Sequence, residues 1–69
     1  MKTAIQTAIE RCNPPTQAEL ARVTGFRPQV VSRWTKRGWV TARHALRIAE
    51  VTGVPIHAFL ADELRNAGR

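Results

Sequence analysis

The chain has 69 residues, room for one domain, and its eleven Lys and Arg against five Asp and Glu give a formal net charge of +6. Its single cysteine, Cys12, excludes an internal disulfide and suggests a reducing setting; Cys12, His44 and His57 lack the spacing of a metal site, so neither a metal nor another cofactor is expected. The stretch MKTAIQTAIERC has no long apolar run and nothing later is long enough to cross a bilayer, so the expectation is a small soluble cytoplasmic domain, with no membrane partner, held by helix packing or a second subunit.

Glycine and proline divide the chain into five short helices, and no run alternates with the period of a strand, so the expected fold class is all-α. The first helix is expected from about Thr3 to Cys12: Ile5, Ala8, Ile9 and Cys12 recur at helical spacing, and Asn13-Pro14-Pro15 stops it. The second opens at Thr16, where Thr16-Gln17-Ala18-Glu19 has the form of a capping box; it turns Leu20 and Ala21 inward and closes at Gly25. The third begins with Pro28 at the first helical position, keeps Val31 and Trp34 on a core-facing seam, and stops at Gly38. Phe26 and Val31 take the staple positions at its start. Arg27 is then its N-cap, a poor capping residue and a cation at the positive end of the helix dipole. Local stability gives no reason for Arg27, whereas an anion docking there would. The fourth helix starts after Thr41 and ends at Gly53, with Ala45, Leu46, Ala49 and Thr52 as its expected inward stripe and Ile48 and Val51 off it. The fifth runs from about Pro55 to Asn66, with Ile56, Phe59, Leu60 and Leu64 as its apolar side.

The charge is concentrated in the middle. Leu20 to Ala49 holds Arg22, Arg27, Arg33, Lys36, Arg37, Arg43 and Arg47 and no acid, while the flanks mix four cations with five acids. A one-signed block implies an anionic partner: nucleic acid, a membrane surface or an acidic protein. A solvated basic face without a partner is the plainer alternative.

Helix, glycine turn, basic helix is the order of a helix-turn-helix. The stretch TQAELARVTGFRPQVVSRW, Thr16 to Trp34, resembles the motif of the lambda-repressor and Cro family: Gln17, Leu20-Ala21, Gly25 at the turn, apolar Phe26 after it, then Val31-Ser32-Arg33-Trp34. Downstream, ARHALRIAEVTGVPIHAF (Ala42 to Phe59) is similar to the family's fourth helix and the lead into its fifth, so the resemblance spans about Thr16 to Leu60. It is most similar to the short Cro proteins of phages and their YdaS-type relatives. Three positions depart from the pattern. Arg27 stands where the family has a Ser or Thr cap, Pro28 where a polar contact residue is common, and Thr24 where an apolar residue is common. Thr24 implies either a looser core or a hydroxyl bonded back to its own helix.

The resemblance implies a compact five-helix, lambda-repressor-like DNA-binding domain over residues 1–69, with its motif at about 16–37. The implied activity is that of a sequence-specific transcriptional regulator, a Cro-like repressor from a phage or prophage that occludes operator DNA in a bacterial host's cytoplasm. An α-helix fits the major groove and offers its N-terminal residues to base edges. On the family's geometry Gln29 and Arg33 lie one turn apart toward the groove, where Gln suits adenine and Arg suits guanine. Ser32 joins them as a base-contact candidate, as does Val30, which either meets a thymine methyl or packs at the helix edge. Gln17 resembles the family residue that bonds a phosphate and braces the recognition helix; Arg27, Lys36, Arg37 and Arg43 are the other phosphate candidates. One helix reads few base pairs, which favours a weak homodimer on a palindromic operator in double-stranded DNA. Its surface is left open among Ile48, Val51, Trp39 and the last helix.

Other side chains carry plainer expectations. Trp34 belongs in the core, while Trp39 covers the core edge, meets a second subunit or touches DNA. Cys12 reads as a small buried residue, His44 and His57 as surface residues, and Arg22 and Arg47 as solvating their helices. No set of nucleophile, base and oxyanion donor occurs and no phosphate loop, so no catalytic residue is named and no enzyme is expected. Two alternatives remain: an antitoxin-like or antirepressor protein-interaction module on the same fold, and sequence-neutral coating of nucleic acid. The latter needs aromatics among the basic residues and has only Trp39.

Overall fold

Five α-helices, in a computed structural model that describes residues 2–67 and side chains through Asn66, account for most of the chain: α1 (Ala4–Glu10), α2 (Gln17–Thr24), α3 (Pro28–Arg37), α4 (Ala42–Thr52) and α5 (Ile56–Ala67). Met1, Gly68 and the flank cation Arg69 lie outside the described residues. Among the described residues there is no strand, and no helix is long and apolar enough to cross a membrane. The longest helix has 12 residues. Helices this short are marginal alone, so their stability comes from the faces they share.

The helix ends follow local rules. At α1 a complete capping box forms: Gln6 N–H donates to Thr3 Oγ1 at 3.3 Å and Thr3 N–H donates to Gln6 Oε1 at 3.1 Å. At α2 the expected box is half present. Glu19 N–H donates to Thr16 Oγ1 at 3.1 Å, but the Glu19 carboxylate is taken by Arg22, whose Nε donates to it at 2.9 Å one turn on. Gly25 ends α2 at φ +83°, a conformation in which a side chain would be strained, and its N–H donates to the Ala21 carbonyl at 2.9 Å.

All five helices contribute to one core, whose largest fully buried side chains are Phe59, Ile5, Leu20, Ile48, Val31 and Val40. Two expected faces need correction. In α4, Ile48 is 0% exposed and Leu46 55% exposed, so the inward stripe is Ala45, Ile48, Ala49 and Thr52 rather than one containing Leu46. Leu46 and Ile48 point about 200° apart on a helix. Apolar residues ring α4, and only its packing against α1, α2 and α5 decides which side is covered. Ile48 is therefore not available as a subunit surface.

In α5, Phe59 faces inward, but Leu60 and Leu64 are exposed, Leu64 at 78%. The place that pattern gave to leucine belongs to Asp62, which is 5% exposed. Its Oδ2 accepts from Ala4 N–H at 2.7 Å, and its Oδ1 is paired with Arg65. The Ala4 amide is the first of α1 and has no acceptor within its own helix. A carboxylate 58 residues away supplies one and also favours the positive end of α1. Thr24 resolves its two readings toward the second: its hydroxyl donates to the Leu20 carbonyl at 2.7 Å. Among the described residues every buried side-chain polar atom has a partner. Replacing Asp62 by Ala strands the buried Ala4 N–H, and urea denaturation should show a loss of about 1–3 kcal/mol at unchanged m-value. Asp62→Asn keeps an acceptor oxygen and should lose less.

Candidate nucleic-acid interface

The orientation of α3 is set by what it buries. Val31 is fully covered and Trp34 is 4% exposed. At about 100° per residue, Gln29, Arg33 and Lys36 fall within about 60° of one another on the side away from Val31. All three are exposed. Val30 and Ser32 flank this strip and are half-buried. Val30 packs against the core, which accounts for it as an edge residue.

The cations separate into free and engaged groups. Among the described residues Arg27, Arg33, Lys36 and Arg43 are exposed and make no ion pair or side-chain hydrogen bond within the protein. Arg37 lies 3.7 Å above the centre of the Trp39 indole and its Nε donates to the Trp39 carbonyl at 3.2 Å. Trp39, half-buried, is thus tied to the end of α3 by a cation–π contact. Arg22 is paired with Glu19, and Arg47 Nε donates to the Thr24 carbonyl at 3.2 Å instead of only solvating its helix.

Gln17, the first residue of α2, is half-buried on a groove of about 540 Å³ that Lys2, Gln6, Glu10 and Thr35 also line. The start of α2 therefore borders α3, while Arg43 stands on α4, outside the two motif helices.

His44, expected at the surface, instead joins the aromatic packing beside this site. It is half-buried, with its ring edge-on to Phe26 at 5.5 Å and tilted against Trp34 at 5.4 Å; Phe26 itself is edge-on to Trp34 at 5.0 Å. Its Nδ1 lies 3.0 Å from the Thr41 hydroxyl. Thr41 is the N-cap of α4 but makes no side-chain cap hydrogen bond, forgoing an interaction usually worth about 0.5–2 kcal/mol. The available signal was position: His44 directly precedes Ala45, the first inward residue of α4. His57 is exposed, as expected. Cys12 is half-buried with Sγ 3.5 Å from the Ala8 carbonyl, and burial, then the nearby Glu19 charge, pushes its thiol pKa up. A raised pKa leaves less thiolate, so this cysteine is poorly suited to nucleophilic work. Among the described residues no cluster of His, Cys, Asp and Glu could hold a metal ion.

A family model described as helix-turn-helix matches residues 16–59, which take in α2, α3, α4 and the start of α5 and make up more than half of the chain. The chain belongs to this family, the lambda-repressor and Cro type of helix-turn-helix. No curated protein and no solved structure matches it. As a helix-turn-helix DNA-binding regulator it has α2 and α3 as its motif helices, Gly25 as their turn, and the exposed strip of α3 as the side not used for packing.

The Glu19–Arg22 pair makes one acid-dependent contribution testable. The hydrogen bond from Arg22 lowers the Glu19 pKa below the ordinary carboxylate value and outweighs the opposing effect of partial covering. The ionised form is thus favoured by folding: the contribution is complete above the ordinary value and is lost as pH falls through the lowered one. Urea midpoints of the wild type and Glu19→Gln should differ near neutrality and converge in acid.

Proposed function

We propose that residues 1–69 act as one domain of a Cro-like transcriptional repressor, of phage or prophage origin, that works in a bacterial cytoplasm by covering operator DNA. The observation that carries this reading is the alignment of Gln29, Arg33 and Lys36 on the exposed side of a helix whose opposite side is locked by Val31 and Trp34. A helix so held can enter the major groove without repacking. Gln29 then pairs with an adenine edge and Arg33 with guanine; Ser32 and the exposed part of Val30 border the same bases. Arg27, Lys36, Arg37 and Arg43, with Gln17 at the start of α2, contact phosphates. These contacts set register and supply most of the affinity. Among the described residues Arg27, Arg33, Lys36 and Arg43 form no ion pair, which supports this division, because at these four no internal contact need break for DNA to bind.

One recognition helix spans too few base pairs to select an operator alone. The reading therefore includes a weak homodimer on a palindrome, with half-site centres one helical turn, about 34 Å, apart. Val51, Trp39 and the exposed Leu60 and Leu64 of α5 remain as surfaces for the second subunit.

Selection of duplexes from random DNA should return a palindrome with that spacing. Arg33→Ala should relax preference at one position by about 1–3 kcal/mol, whereas Lys36→Ala should weaken all sequences alike and make the salt slope shallower by about 1. The wild-type slope of log affinity against log salt should be roughly −4 to −5 per subunit. Equal competition by selected and scrambled duplexes would reject the repressor reading and favour the antitoxin-like or antirepressor alternative.

A further inference from the structure

α4 grips the helix-turn-helix at two points. His44 packs against the rings of Phe26 and Trp34, and one turn later Arg47 Nε donates to the Thr24 carbonyl at 3.2 Å. Residues three apart share a face of a helix, so both contacts leave the same side of α4. Thr24 closes α2 and Phe26 leads into α3, so the two contacts straddle Gly25. That glycine is the pivot of the motif, and a Cβ built on it would meet nothing within 4 Å. Direct packing of α2 on α3 sets much of their angle, and the two contacts from α4 secure it on either side of the turn.

Helix stability alone would have arranged both residues differently. Thr41 Oγ1 lies 3.0 Å from His44 Nδ1 and makes no side-chain cap bond to α4. Glu50 lies three residues beyond Arg47, within helical reach, yet among the described residues it forms no ion pair; the guanidinium goes to a neutral carbonyl at the end of α2. That carbonyl lies at the negative end of the α2 dipole, which gives the cation a reason to stay there.

We propose that His44 and Arg47 are positioning residues of the DNA interface, which secure the α2–α3 angle and thereby the pose in which Gln29 and Arg33 meet the base edges. The inference rests on α3 being the base-reading helix. Hydrogen bonds to bases are directional, so a small swing at Gly25 should cost selectivity more than general affinity.

Two measurements on the full chain test it. The first is amide hydrogen exchange. Arg47→Met and His44→Ala should speed exchange over residues 25–30 relative to α5, while His44→Phe, which keeps a ring against Phe26 and Trp34, should restore wild-type rates. The second is competition between a duplex enriched from random DNA by the wild-type chain and the same duplex changed at the base pair most sensitive to Arg33→Ala. Discrimination should fall by about three- to tenfold in Arg47→Met and His44→Ala at unchanged salt slope, and recover in His44→Phe. Exchange that is unchanged, or raised evenly across all helices, overturns the inference. So does intact discrimination with a slope shallower by about 1, which would make Arg47 a phosphate contact. If Arg33→Ala itself keeps the wild-type base preference, the base-reading role of α3 fails and takes this inference with it. Altered exchange over residues 25–30 would then show that the fault lies in that reading and not in the brace.

Discussion

The burial of Val31 and Trp34 is the constraint on which the interface depends. α3 carries Arg33, Lys36 and Arg37 with no acid, and Arg33 repels both of the others from one turn away. Two such like-charge pairs cost about 0.5 kcal/mol each at the surface. Losing a buried valine or tryptophan side chain costs several times that. The anchoring therefore wins by a wide margin, and the helix can present cations without acids to balance them. The same anchors fix its rotation: once Val31 faces inward, Gln29, Arg33 and Lys36 have only the outside left.

The surroundings of α3 keep its outer side uncommitted. Where a cation in the middle of the chain is engaged, its partner lies outside the strip of Gln29, Arg33 and Lys36: Arg22 is held by Glu19, Arg37 by Trp39, Arg47 by the end of α2. The remaining acids that form pairs, Glu10 and Asp62, do so with Lys2 and Arg65 from the flanks. The segregation of charge seen along the sequence thus survives in space. A strongly cationic strip of this kind draws a polyanion over distances longer than any contact, and does so less as salt rises.

A domain this small buries few large side chains, and it compensates by tying distant segments together through single polar contacts. Asp62 fastens the last helix to the first amide of α1. Arg11 reaches the Thr52 carbonyl at 3.4 Å, and Arg47 reaches Thr24. Each links elements more than twenty residues apart. Each is hidden from pattern reading, because an Asp or Arg on a short helix looks like a solubilising residue until its partner is known. Leu60, Leu64 and Leu46 mislead in the opposite direction: as leucines at helical spacing they read as core, but the surfaces that would cover them are already occupied by Phe59, Ile48 and the alanines of α4.

What the sequence determined by itself was local. Glycines at 25, 38 and 53, prolines at 28 and 55, and the threonine at 16 bounded four of the helices at one end or both, because backbone conformation near these residues is set by their own sterics and hydrogen bonding. The seam of Val31 and Trp34 was legible for the same reason: the large apolar residues of α3, with Val30 at their edge, all fall on one side and leave one choice of inward face. Where a helix is apolar most of the way round, as in α4 and α5, periodicity allows more than one inward side, and only the neighbours' shapes select among them. The tertiary structure alone decided that Ile48 and Asp62 lie inside, that His44 joins Phe26 and Trp34, and that Arg47 bonds the Thr24 carbonyl. Those outcomes depend on atoms brought together from far along the chain, whose meeting no local rule encodes.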